Sequence, residues 1–218
     1  KVGTDGKFYE DIYQVQFTRG MWGEPKAVTS LNTEFHEAML YLSTSEDQIL
    51  MYKFNEEDAH GGDLYESKLV DGKWTTPVIL DYNLNSDSWE SHGTRFRENI
   101  VFTSDRKGTV GYKDLWLFDT KTKEVTNLGK DINSDEDEDG AYLTEDGNTL
   151  YFSSNGHNTM GGYDIFRTKA INDTTWTSPA NIGFPVNTPA DDIYFTMTER
   201  YNRGYYASSD LNGIGDMD

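Results

Sequence analysis

The chain has 218 residues, 38 acidic and 19 basic, for a formal charge of −19, and it contains no cysteine. A field of that sign repels phosphate backbones and anionic lipid surfaces, so nucleic acid is not an expected partner, and the missing thiols exclude disulfides, thiolate metal sites and thiol catalysis. No apolar run approaches the roughly 18 residues needed to span a bilayer, so no transmembrane segment is expected, whereas 14% aromatic residues supply large buried surfaces for thin packed sheets.

Taken in chain order, the first recognisable element is Asp11-Ile12-Tyr13, followed by Trp22, Pro25, and then Asn32-Thr33 with Glu37. The second repeats it as Asp63-Leu64-Tyr65, Trp74, Pro77, Asn85-Ser86 and Glu90. The third begins at Asp114-Leu115-Trp116 and ends at Asn133-Ser134 and Glu138, but carries Val125 and Leu128 where the others have Trp and Pro. The fourth runs through Asp164-Ile165-Phe166, Trp176, Pro179, Asn187-Thr188 and Asp192, and Asp218 stands where a fifth would start. The aspartates are 52, 51, 50 and 54 residues apart.

Repeats of this length, made of strands and turns without a long 3.6-residue period, point to propeller blades rather than helical solenoids. The expected fold is all-β, a β-propeller of four-stranded blades forming one domain over residues 1–218. Within the third and fourth repeats, Asp146-Gly147-Asn148 is predicted to turn between strands at about 141–144 and 149–154, because those residues tolerate the positive φ of a tight hairpin. A third strand is expected at about 164–169, and a short outer edge strand between Trp176 and Ile182, where Pro179 removes no ladder donor. By this division the chain holds the outer half of one blade, three full blades and the inner half of another. The two halves pair to close a four-bladed ring, or the chain is a segment of a five- or six-bladed ring in a longer protein. The start at Lys1 and the motif begun at Asp218 favour the second.

The segments from Tyr151-Phe152-Ser153-Ser154-Asn155-Gly156 to Gly161-Gly162-Tyr163-Asp164-Ile165-Phe166, and from Pro179-Ala180-Asn181-Ile182-Gly183 to Asn187-Thr188, resemble the TolB-like, WD-repeat-like propeller of OmpA-family Gram-negative envelope proteins. Those proteins carry tetratricopeptide repeats before the propeller and an OmpA-like peptidoglycan-binding domain after it. The resemblance extends to PorE-like lipoproteins, which tether type IX secretion machinery to peptidoglycan at the periplasmic face of the outer membrane. It implies other envelope proteins as partners and an indirect peptidoglycan tether through domains outside this chain.

Repetition also nominates residues. Asp11, Asp63, Asp114 and Asp164 enter a strand after a turn, where a carboxylate accepts backbone N–H bonds and locks that turn. Trp22, Trp74 and Trp176 are expected at equivalent outer positions, packed between strands or blades. Glu37, Glu90, Glu138 and Asp192 lie at the start of the innermost strand, so rotation would set them in a ring near one channel mouth. Such a ring binds a cation or a basic loop if its carboxylates converge, or is structural, with lowered pKa, if each accepts local hydrogen bonds. Asp135, Asp137 and Asp139, with Gly140 and Asp146, have the spacing of a calcium loop, but Asp replaces the usual bidentate Glu and no flanking helix is expected. His36, His60, His92 and His157 fall at different repeat offsets without metal-ligand spacing and are read as loop residues. No nucleophile elbow or phosphate-cradling Gly loop is present, and no cofactor is implied.

These readings favour a non-catalytic interaction scaffold of the bacterial envelope. Two rivals remain: an enzyme-associated propeller that gates a peptidase or uses channel carboxylates as a glycosidase, and a calcium-stabilised binding domain.

Overall fold

The repeat acts first through its turns. In the computed structural model the chain reverses at Glu145–Asn148, with Gly147 at φ 68° and the Thr144 N–H donating to the Thr149 carbonyl at 2.9 Å. Asp146 accepts from the Asn148 N–H at 2.9 Å and the Thr144 hydroxyl at 2.7 Å, the local bonding that makes Asp a turn residue. The structure describes residues 8–54, 61–96, 98–172, 175–198 and 203–209, and these form strands and turns with no helix. They fall into two compact units, Lys1–Asn85 and Ser86–Asp218.

Unit one opens with β1 (Tyr13–Gln14), β2 (Phe17–Thr18), β3 (Met21–Trp22) and β4 (Lys26–Ala27), in which β1 pairs with β4 and β2 with β3. A fuller sheet follows, from β5 (Glu37–Leu42), β6 (Gln48–Phe54), β7 (Gly62–Val70), β8 (Lys73–Trp74) and β9 (Val78–Ile79). Strands β5, β6 and β7 are antiparallel neighbours; the long β7 then pairs with β9 along its middle and with β8 at its end. Ile12 and Leu31 pack with Ile49 and Met51, and Trp74 rests against that cluster.

Unit two contains two complete four-stranded meanders. The first is β10 (Glu90–Phe96), β11 (Asn99–Ser104), β12 (Asp114–Asp119) and β13 (Val125–Asn127); the second is β14 (Glu138–Leu143), β15 (Thr149–Ser154), β16 (Asp164–Lys169) and β17 (Ala180–Asn181). A two-stranded sheet ends it, β18 (Asp192–Thr198) with β19 (Arg203–Ser208). The central strands are nearly continuous apolar runs such as Ile100-Val101-Phe102, because both of their faces are covered. Val101, Leu115 and Ile132 form one core with Leu143, Leu150, Phe152 and Phe166, which joins the first meander to the second.

The expected strands at 149–154 and 164–169 and the expected turn are present as predicted. The innermost strand begins at Glu138 rather than near 141, because a bulge between Asp139 and Tyr142 extends the pairing back to Glu138↔Ser154. The outer edge strand is shortened to Ala180–Asn181, with Trp176 on a separate bridge to Ala170. His60 and Asp218, the latter expected to open a fifth repeat, lie outside the described residues.

Candidate interaction face

Each repeated motif closes a hydrogen-bonded clasp. The motif asparagines hold the residue after each repeat aspartate by both of its backbone groups. Asn32 accepts from the Ile12 N–H at 2.8 Å and donates to the Ile12 carbonyl at 3.0 Å. Asn85 does the same to Leu64 (2.9 and 3.0 Å), Asn133 to Leu115 (2.9 and 3.1 Å) and Asn187 to Ile165 (2.9 and 2.8 Å). A side-chain amide offers a donor and an acceptor as a neighbouring strand would, so each Asn ends the ladder where no strand is present.

The four motif acids are almost completely buried, and each accepts from the Ser or Thr four residues before it. Glu37 takes the Thr33 N–H at 2.9 Å and the Thr33 hydroxyl. Glu90 takes the Ser86 N–H (2.8 Å), the Ser86 and Ser104 hydroxyls (2.7 and 2.8 Å) and the Arg106 guanidinium (2.9 Å). Glu138 is bonded alike by Ser134 and Ser154, at 2.6–2.9 Å. Asp192 is held by the Thr188 N–H and hydroxyl and by Ser208, also at 2.6–2.9 Å. The carboxylates therefore meet protein donors and do not converge on open space.

One electrostatic expectation fails. Burial pushes the Glu138 carboxyl up to about 7, outweighing the Ser134 and Ser154 donors, with the charge of Asp114 adding to the rise.

At the third strands, Asp114 accepts from the Val110 and Gly111 N–H groups (2.6 and 3.1 Å) and Asp164 from the Met160 N–H (2.6 Å), which pins the preceding turn. Asn127 and Asn181 each donate to these aspartates at 2.6 Å and accept from the motif asparagines Asn133 and Asn187. Asp63 is buried and Asp11 half-buried. The tryptophans take matching registers, Phe17↔Trp22, Leu69↔Trp74 and Ala170↔Trp176. Trp74 and Trp176 are half-buried against cores, but Trp22 is 60% exposed and meets the Phe17 ring at a tilt of 55°, with centroids 4.8 Å apart. The expectation that all three pack between sheets is corrected for Trp22, which among the described residues belongs to no core cluster, whereas Trp74 and Trp176 each lie against one.

The calcium-loop spacing does not become a cage. Asp135 and Asp137 precede β14, Asp139 is its second residue and Asp146 lies beyond its far end. Asp137 is occupied by the Lys113 N–H (3.0 Å) and the Tyr163 hydroxyl (2.8 Å), and both Asp146 oxygens by its own turn. Among the described residues no three His, Asp or Glu side chains are grouped to hold a metal ion.

What repetition did not nominate is a cluster at the position two residues after each acid. There the innermost strands of unit two bulge, with His92 at φ 27°, Gly140 at φ 62° and Tyr194 at φ 60°. A left-handed backbone is costly for His and Tyr and is held by its surroundings. Gly140 also keeps the strands close, since a Cβ there would sit 3.0 Å from the Tyr194 ring. His92 stacks on Tyr194 with centroids 4.2 Å apart, and its Nδ1 lies 2.9 Å from Asp139 Oδ1 as a charge contact without hydrogen-bond alignment.

Lys113 Nζ is 3.8 Å from Asp139 Oδ2 and 4.6 Å from the centroid of the Trp89 ring. Burial alone would raise the Asp139 carboxyl, but the His92 charge and contact, Lys113 and the Gly140 N–H together hold it below the usual carboxylate range. Tyr163 is pushed upward by burial, by its bond to Asp137 and by nearby acids, so it stays protonated as a donor. His92 was read as a loop residue and instead sits within β10. The signal that would have found the cluster is its fixed offset from the acids, at which the four repeats carry Met39, His92, Gly140 and Tyr194.

No family model and no curated protein matches the chain. Among solved structures it is similar to TolB from Acinetobacter baumannii, at 16% identity and a TM-score of 0.49 over 89% of this chain. It is also similar to a puromycin hydrolase mutant complexed with PGG, at 8% identity and a TM-score of 0.34 over 77%. The chain spans 45% of the first structure's length and 32% of the second's. The sheet order given above stands on its own hydrogen bonds.

Proposed function

We propose that this chain is part of a β-propeller that serves as a non-catalytic protein-interaction scaffold of the bacterial envelope, in the periplasm. The observation that carries the reading is the division of labour among its polar residues. The repeated acids are buried and bonded within the fold, whereas the unrepeated Trp89, His92, Lys113 and Tyr194 stand partly exposed at one end of the same strands. Positions shared by every repeat serve the common architecture, and those that differ within the same frame are available for recognition. The exposed Tyr112, beside Lys113, adds an aromatic of the kind enriched in protein interfaces.

The finer reading, drawn from the sequence resemblance, is a five- or six-bladed ring in a PorE-like protein linked to type IX secretion and peptidoglycan anchoring at the outer membrane. Site-specific photo-crosslinking in envelope preparations tests both levels. A photoreactive residue at Tyr112 or Tyr194 is expected to give discrete adducts with other envelope proteins, and one at Thr126 on the outer edge strand none. Equal labelling at all three positions, or no adduct at Tyr112 and Tyr194, would overturn the proposal; adducts lacking secretion components would remove the finer reading alone.

A further inference from the structure

A half-open cleft of about 220 Å³ lies in unit two, between the two complete meanders and away from the His92 cluster. Val101, Leu117, Leu143 and Trp176 supply its apolar walls. Asn99, at the start of β11, and Asn148, in the turn after β14, stand among its polar lining residues. Asn148 uses its Nδ2 on Asp146 at 2.7 Å, which leaves its side-chain carbonyl to accept from a ligand.

Among the described residues Asp146 is the only ionisable one in the lining, and both of its oxygens are engaged by Thr144 and Asn148. These bonds from the Asn148 backbone, the Thr144 hydroxyl and the Asn148 side chain hold its carboxyl below the usual range.

We propose that this cleft binds a neutral sugar ring. An anion would meet the Asp146 carboxylate with no counter-charge among the described lining residues. A purely apolar molecule would strand the amides of Asn99 and Asn148, each of which costs free energy when it loses water without gaining a partner. A pyranose has the combination that fits: C–H faces to lie against Trp176 and the aliphatic wall, and hydroxyls that donate and accept at its edge. The volume lies below the roughly 300 Å³ at which sites for drug-sized ligands begin, so it accommodates about one ring rather than a chain buried along its length. The inference does not rest on the scaffold reading, because it uses different residues on a different part of the unit.

The test is a titration of the full chain with methyl glucoside, methyl galactoside and N-acetylglucosamine, followed by two-dimensional amide NMR, with benzoate as the anionic control. At least one sugar is expected to shift the side-chain amide signals of Asn99 and Asn148 and the indole signal of Trp176, with Kd on the order of 1–10 mM. Asn99→Ala and Asn148→Ala, shown to be folded by their circular dichroism, are each expected to weaken that binding by about tenfold, the loss of one amide partner. Absence of shifts at about 50 mM of every sugar, equal shifts with benzoate, or shifts unchanged in both variants would overturn the proposal.

Discussion

Replacing Glu138 by Gln should change the pH dependence of stability and little else. The Glu138 carboxyl titrates at about 7 in the folded protein against an ordinary value of 4.5. A difference of about 2.5 units is worth about 3 kcal/mol between its two protonation states. Because the fold holds this proton to higher pH than the unfolded chain does, the stabilisation is complete below about pH 4.5 and is lost as pH rises through about 7.

Glutamine mimics the protonated acid: its oxygen still accepts from Ser134, and its amide donates to hydroxyls that can rotate to accept. Urea unfolding of both proteins should therefore give similar stabilities near about pH 4.5 and a variant more stable by up to about 3 kcal/mol near about pH 8.5. Comparing the pair cancels the titrations they share. Repeating it in a His157→Gln background removes the imidazole whose Nε2 lies 3.8 Å from Glu138. Parallel pH profiles for the Glu and Gln proteins in both backgrounds would refute the argument that burial dominates at this acid.

The tryptophans should separate by their surroundings. Trp74→Ala is expected to cost about 2–3 kcal/mol in urea unfolding, less than a fully buried Trp, and Trp22→Ala less than about 0.5 kcal/mol; equal losses would mean that the exposed hairpin carries packing that its geometry denies. Asn133→Ala leaves the buried Leu115 N–H without its partner, while the Leu115 carbonyl keeps the Leu128 N–H at 3.1 Å, so a loss of about 1–3 kcal/mol is expected by the same assay, with faster amide exchange at Leu115. Exchange at Leu115 that stays slow would show that another group takes over the clasp.

Much of this architecture was legible because its causes are local. The turn at Asp146-Gly147-Asn148 follows from residues that accept a left-handed backbone, and the strands around it follow from apolar alternation and from runs covered on both sides. The repeat itself marked the residues of the clasps, since Asn, Ser or Thr, and an acid return at matching spacing in all four repeats, but the bonds that the asparagines make were not read from it. The separate fates of Trp22 and Trp74 were not legible, because matching motifs bury a ring only where apolar residues from elsewhere in the chain lie against it, as Ile12, Leu31, Ile49 and Met51 do at Trp74. Nor was the raised pKa of Glu138, which depends on how completely distant strands exclude water from a carboxyl that its neighbours still hydrogen-bond. The contact of His92 with Asp139 and Tyr194 joins three strands far apart in the chain through residues that do not repeat. Local chemistry in the sequence determined the strands, turns and clasps; only the tertiary packing decided which equivalent residues are covered, charged or exposed, because burial and electrostatics are set by neighbours remote in sequence.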